Sequence, residues 1–198
     1  MIHLFSSERQ THQKIDSEYV SNYLPKHSKR YQHILGVTQM MKELLPSLSI
    51  PDDWKSMLIT ACYLHDIGYS PKLSQYGFHP LDGAIFAAQQ QFPKPIVAAV
   101  LFHTGAIESA KEEKDPNILA IYQQHQPLLD EQDQLFIKLV TYCDLQTSPT
   151  GERITLQERI DEICDRYGHE HQVSQLMIKN QNYYEKTIQE VAQLIQSQ

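Results

Sequence analysis

The chain lacks the features that mark several common protein classes. Its three cysteines, Cys62, Cys143 and Cys164, are odd in number, far apart and without a CxxC spacing. That excludes a disulfide framework or zinc ribbon and fits reduced thiols. No stretch approaches the roughly 20 apolar residues of a membrane span, and Met1–Gln13 has no apolar core of signal-peptide length. The 7 glycines and 10 prolines are scattered, so no collagen-like or low-complexity segment exists. Basic residues are in deficit: 17 Lys and Arg against 24 Asp and Glu leave a formal charge of −7. A nucleic-acid-binding surface normally carries a basic patch or stripe, so none is expected. A small anionic substrate is not excluded, because bound divalent cations invert the local field of a pocket. GxSxG and P-loop patterns are absent as well. The expectation is a soluble cytoplasmic protein with neither a membrane nor a nucleic acid as partner.

What is present is helix. The 198 residues suffice for one well-buried domain, with 41% hydrophobic and 21% charged residues, an ordinary globular balance. Asp16 to Leu24 reads as a short segment closed by Pro25. In the next run His33, Val37, Met40, Met41 and Leu44 fall on one helical face. A lone histidine on such a face is more often a hydrogen-bonded core residue than a ligand. Ser49-Ile50-Pro51-Asp52-Asp53 predicts a helix start with Ser49 as cap, and Trp54, Leu58, Cys62 and His65 share its stripe to an end near Gly68. Tyr69 to Phe78 reads as a loop, His79-Pro80 opens another helix, and Ile96 to His103 is a short apolar helix stopped by Thr104-Gly105. Glu108 to Pro116 reads as a solvated loop and Asn117 to His125 as a helix. Asp130 to Cys143 is a helix delivering Asp144 at or beyond its end. Thr155 and Glu158 have capping-box spacing for a helix reaching Tyr167-Gly168. Val173 to Gln196 reads as one amphipathic segment with Leu176, Ile178, Ile188, Val191 and Ile195 apolar. No repeat, linker or strand pattern is evident. The expected fold is all-α: a single helical-bundle domain over residues 1–198, with a site-bearing core at about 28–145 and C-terminal helices at about 155–196.

Ten histidines exceed what such a chain needs structurally. In chain order His33, the adjacent pair His65-Asp66, His79, His103 and Asp144 stand in helical or helix-end contexts. Mixed His and carboxylate ligands suit divalent transition metals such as Fe, Mn, Ni, Co or Zn. Four histidines and two aspartates are too many for one tetrahedral ion with an open position and about right for two ions.

The set resembles the HD superfamily of metal-dependent phosphohydrolases. The likeness lies in Arg30-Tyr31-Gln32-His33 with Val37, in Leu64-His65-Asp66-Ile67-Gly68, and in Thr141-Tyr142-Cys143-Asp144. His79-Pro80-Leu81-Asp82-Gly83-Ala84 and Leu101-Phe102-His103-Thr104-Gly105 resemble the two-metal subset, and their blocks are similar to those of bacterial diadenosine tetraphosphate hydrolases. The likeness spans about residues 28–145 and continues more weakly through Arg159 and Arg166-Tyr167-Gly168. It implies that His33, His65, Asp66 and Asp144 hold a first ion, with Asp66 bridging to a second on His79 and His103. The implied activity is hydrolysis of a small phosphoester or nucleotide, including a dinucleotide, by a metal-activated hydroxide. Two other readings use the same ligands. One is the mixed-valent di-iron oxygenases of the HD branch, part of which carries a basic block after the fourth His that Thr104-Gly105-Ala106-Ile107 lacks. The other is a non-catalytic metal- or nucleotide-binding regulatory module, against which the intact ligand set argues.

Further candidates rest on position. Arg30 is expected to orient substrate phosphate or brace Asp66, with a purely structural ion pair as the alternative. Lys72, in the loop after the His-Asp pair, is a candidate phosphate contact, although a solvated loop lysine is the plainer reading. Some relatives carry a Lys directly after the HDIG block, where this chain has Tyr69. Asp82 reads as a partner behind His79 or as a favourable charge near a helix N-terminus. His3, His12, His27, His125, His169 and His171 lie outside the pattern and are expected at the surface.

Overall fold

Side chains that accept the free N–H groups of a first turn mark about half of the helix starts in the computed structural model of the protein, which describes residues 2–5 and 14–196. Asp16 caps α1 (Ser17–Ser21), Ser28 caps α2 (Lys29–Leu44), and Asp115 caps α7 (Pro116–His125). Reciprocal capping boxes start α8 (Glu131–Leu145) with Asp130 and Asp133, and α9 (Leu156–Tyr167) with Thr155 and Glu158. Prolines start others: Pro51 precedes α3 (Asp52–Leu64), Pro80 lies in the first turn of α4 (His79–Gln89), and Pro93 precedes α5 (Lys94–Phe102). The remaining helices are α6 (Ala106–Ala110), α10 (Gln172–Lys179) and α11 (Gln181–Gln196). Among the described residues the only β pairing is one antiparallel bridge between Thr147 and Arg153. The fold is all-α, and among the described residues no helix is long and apolar enough to cross a membrane.

The arrangement centres on α5, whose residues Ile96 to Phe102 are all buried. A helix apolar all round needs neighbours on every side, and α5 packs against α3, α4 and α8 while α2 covers α3 and α8. A second, smaller apolar cluster joins Leu145 and Ile160, Ile163, Cys164, Met177 and Tyr184, outside the main core. It holds the pair α9–α10 against the end of α8.

Several boundaries differ from expectation. Ser49 is not the cap of α3; Pro51 occupies that place without a side-chain acceptor, and Asp52 and Asp53 face the positive helix end instead. α3 stops at Leu64 because Asp66 leaves helical geometry (φ −108, ψ 10) and a tight 3-10 turn, Ile67–Tyr69, follows. The predicted loop at Glu108–Pro116 begins inside α6, where buried Ala110 seals the helix. Asp144 lies in the last turn of α8, at the helix end and so within the expected range. The C-terminal segment is two helices: Asn180 breaks it and donates its side-chain amide to Leu176 O at 2.9 Å. That break turns Ile178 outward, 42% exposed, and puts Ser174, Met177, Tyr184, Thr187 and Val191 inside.

His125 also departs from expectation, for it is buried. Its Nδ1 donates to Ile121 O at 2.8 Å and its Nε2 accepts Leu4 N–H at 3.2 Å, which fastens the N-terminal strip to α7. His3, His27, His169 and His171 are exposed; His12, with most of Met1–Gln13, lies outside the described residues.

Candidate metal centre

Five elements deliver the candidate side chains to one place. Arg30 and His33 come from the first turns of α2, His65 and Asp66 from the end of α3, His79 from the first residue of α4, His103 from just past α5, and Asp144 from the last turn of α8. Two close approaches of backbone make this possible. A Cβ on Gly68 would lie 2.0 Å from His79 O, so only glycine lets the 3-10 turn touch the start of α4. A Cβ on Gly36 would lie 2.4 Å from Gly151 O, which seats the 148–153 turn on α2.

The imidazoles are held in a common tautomer. Nδ1 of His33 lies 3.0 Å from Ser148 O, Nδ1 of His65 2.7 Å from Cys62 O, and Nδ1 of His103 2.8 Å from Val100 O. A carbonyl only accepts, so each Nδ1 carries a hydrogen and each Nε2 is left facing the site, a donor to a carboxylate when protonated and a lone pair for a cation when not. Backbone orientation of this kind is how proteins aim ligating histidines. The Nε2 of His65 is buried with no hydrogen-bond partner. An orphaned buried acceptor is costly, and a cation is the partner that would satisfy it.

The potential ligand atoms fall into two groups, each within 4.8 Å: His33, His65 and Asp144, then Asp66, His79 and His103. Asp66 stands between them. Its Oδ2 is 3.8 Å from His33 Nε2 and 3.4 Å from His65 Nε2, while Oδ1 is 3.3 Å from His79 Nε2 and 3.7 Å from His103 Nε2. His33 Nε2 lies 2.8 Å from Asp144 Oδ1. Separations near 3 Å match neighbouring donors around an ion whose metal–ligand bonds are about 2.1 Å. The donor chemistry of each group fits a divalent ion of the borderline class.

Electrostatics keeps the carboxylates ready. Burial opposes the charge on Asp66, but the Arg30 guanidinium and His65 outweigh it and hold its carboxyl well below the usual range. Asp144 is likewise buried and held low by His33, His65 and Arg159. Burial pushes His79 down to about 4, which leaves it neutral at physiological pH.

Arg30 makes a short contact to Asp66 Oδ2 and lies 3.8 Å above the Tyr69 ring, which stacks on His79 at 3.9 Å. Arg30 therefore braces Asp66 while lining the cavity. The Asp82 carboxylate is engaged by the loop before α4. It accepts the N–H groups of Gln75, Tyr76 and Gly77 at 2.9–3.1 Å and so anchors the loop that leads into His79. Lys72 is not brought to the site. Ser70 donates to Tyr23 O, a turn follows, and Lys72 Nζ is drawn outward to Asn22 O at 2.7 Å.

Both donor groups open into a cavity of about 660 Å³. Its far wall comes from α9 and α10: Arg159 and Arg166 supply charge, and Ile163, Val173, Leu176 and Met177 supply apolar surface. Neither arginine was identified from sequence spacing; Arg159 and Arg166 belonged only to the weakly similar stretch. Tyr184 and Ser148 also bear on the site without a sequence signal of their own, and Thr104 stood in a resembling block with no role read for it, because their contacts span 40 residues or more.

The family model described as the HD domain matches residues 30–168. No curated protein and no solved structure matches the chain.

Proposed function

The chain belongs to the HD domain family, and from that membership we propose that it is a metal-dependent phosphohydrolase acting on a small phosphoester or nucleotide, with two divalent transition ions as cofactors. The carrying observation is the division of Asp66, one oxygen toward His33 and His65 and the other toward His79 and His103. His33, His65 and Asp144 would hold one ion, His79 and His103 the other, with Asp66 shared. Two such ions acidify water and neutralise phosphoryl oxygens.

The remaining work falls to side chains of the cavity. Arg30, Arg159 and Arg166 offer planar donors that match phosphoryl oxygens, in a chain whose overall charge is negative. The apolar strip Ile163, Val173, Leu176 and Met177, with Tyr167 at its edge, suits a ring such as a nucleobase. Polar groups converging beside apolar surface in one cavity favour a nucleotide over a small inorganic ester. Lys72 has no part in this reading, since it is tied to Asn22.

Elemental analysis of protein purified without oxygen, joined to a nucleotide and phosphoester panel with Mn²⁺ or Co²⁺, tests the proposal. Close to two ions per chain and release of phosphate or a nucleotide fragment are expected. Silence across the panel overturns the hydrolase. Oxygen consumption by the iron-loaded protein without phosphate release replaces it with an oxygenase.

A further inference from the structure

Thr104 has a backbone that a threonine adopts only under constraint. Its φ is 48° and ψ 40°, in the left-handed region, and Gly105 follows with φ 69°. Glycine occupies that region without cost, whereas a β-branched residue there is an outlier that persists only when its surroundings over-determine it. The surroundings do so from two helices. Thr104 N–H donates to Thr141 Oγ1 of α8 at 2.8 Å, and Thr104 O accepts from Tyr184 of α11 at 3.4 Å. The Thr104 hydroxyl makes a short hydrogen bond to Asp144 Oδ2.

Those contacts join the two donor groups. Asp144 has two oxygens with separate duties: Oδ1 is 2.8 Å from His33 Nε2, while Oδ2 is occupied by Thr104. The residue before Thr104 is His103, whose ring is already locked through Nδ1 to Val100 O. One strained residue therefore carries the backbone that follows a donor of one group and the hydroxyl that orients a donor of the other. A glycine would relax the backbone and lose the hydroxyl, which gives a reason for a threonine in a conformation it disfavours.

We propose that Thr104 is a positioning residue that holds Asp144 with Oδ1 turned toward His33, and so sets the affinity of the first ion site. The proposal rests on the two-ion reading above, but its test reads ion binding and not turnover.

Co²⁺ is titrated into metal-free full-length protein against a competing chelator, and the two affinities are assigned with the His33→Ala and His79→Ala variants. Thr104→Val and Thr104→Ala, which lack the hydroxyl, are expected to weaken the ion assigned to His33 by about 10- to 100-fold, the range for lost outer-shell partners, and to leave the other near its wild-type value. Thr104→Ser keeps the hydroxyl and is expected to restore the first affinity. If Thr104→Val does not fold, the Ala and Ser variants carry the comparison alone. Equal loss at both sites would mean a general structural role and overturn the proposal, as would wild-type affinity in Thr104→Ala or failure of Ser to rescue. Wild-type protein that binds fewer than two Co²⁺ would instead overturn the two-ion reading, before any variant is compared, and the proposal with it.

Discussion

Asp66 is 2% exposed and surrounded by four imidazoles and a guanidinium. Its charge is what those groups have in common. On the two-ion proposal, replacing it with alanine removes the shared donor and leaves the half-buried Arg30 without its carboxylate, so Asp66→Ala is expected to lose both ions. Hydrolysis should fall by roughly three orders of magnitude, on the scale of losing a central electrostatic stabiliser. Ion content and turnover measured on the same preparation check this, and retained activity would sink the site assignment. The titration of the same residues gives a second prediction at this scale. His79 is held at about 4 in the folded metal-free protein against 6.5 in an exposed imidazole. The unfolded chain therefore takes up a proton between those values that the folded chain refuses, and stability drops as pH falls from about 6.5 to 4, by an amount of the order of 2 kcal/mol. Below that, Asp66 and Asp144, both lowered, lose their stabilising charge as pH falls through their folded values. His65 has the opposite sign: its pKa is raised, since Asp66 outweighs the burial that opposes its charge. Its contribution is complete below about 6.5 and is lost as pH rises through its folded value. Urea titrations of metal-free protein should thus show greatest stability near pH 6.5, and stability that rises on acidification from 6.5 to 4.5 would contradict the assignment.

At the scale of elements, the site depends on how closely the 3-10 turn Ile67–Tyr69 meets the first turn of α4. Gly68 permits that contact, with backbone and not a flexible side chain on the far side. Gly68→Ala must push α4 away, and overpacking of this kind costs about 2–3 kcal/mol. Because His79 is the first residue of α4, the shift also carries one donor away from Asp66. The expected outcome is a lower denaturation midpoint together with weaker binding of one ion; an unchanged second ion would show that α4 tolerates the displacement. The same element holds Asp82, whose carboxylate gathers the three N–H groups of the preceding loop. α4 is thus fixed from both sides of His79, by glycine contact and by loop anchoring.

At the scale of the whole molecule, five separate elements converge on one centre, so ions bound there cross-link the bundle. Anything that binds only the folded state adds stability, about 2.7 kcal/mol for one ion at a hundred times its dissociation constant. Chelation should therefore lower the melting temperature, by about 2–4 °C for each kcal/mol lost in a chain of this size. A scan of holo and metal-free protein at equal concentration measures it. No change would argue that the centre is not loaded in the purified protein.

Much of this was legible in the chain itself. Helical periodicity put His33 on the same face as Val37, Met41 and Leu44, and all four are buried. The capping-box residues Thr155 and Glu158 placed the start of α9, because a cap satisfies N–H groups within three residues and so is written locally. The residue types and order of the six candidate donors are likewise a property of sequence, as is their likeness to the HD domain. Contacts between distant parts of the chain were not legible. Lys72 turns outward because Ser70 is pinned to Tyr23, and His125 is buried because the N-terminal strip lies on it. Arg159 and Arg166 reach the cavity only because a second apolar cluster folds α9 and α10 over it. Local sequence determined which donors exist and on which helices they ride, since both follow from short-range backbone chemistry. Tertiary packing alone decided that Asp66 faces both groups, that Thr104 holds Asp144 in a strained turn, and which side chains wall the cavity. Those outcomes depend on close approaches such as Thr104 to Asp144 and to Tyr184, 40 and 80 residues apart, and no spacing along the chain encodes them.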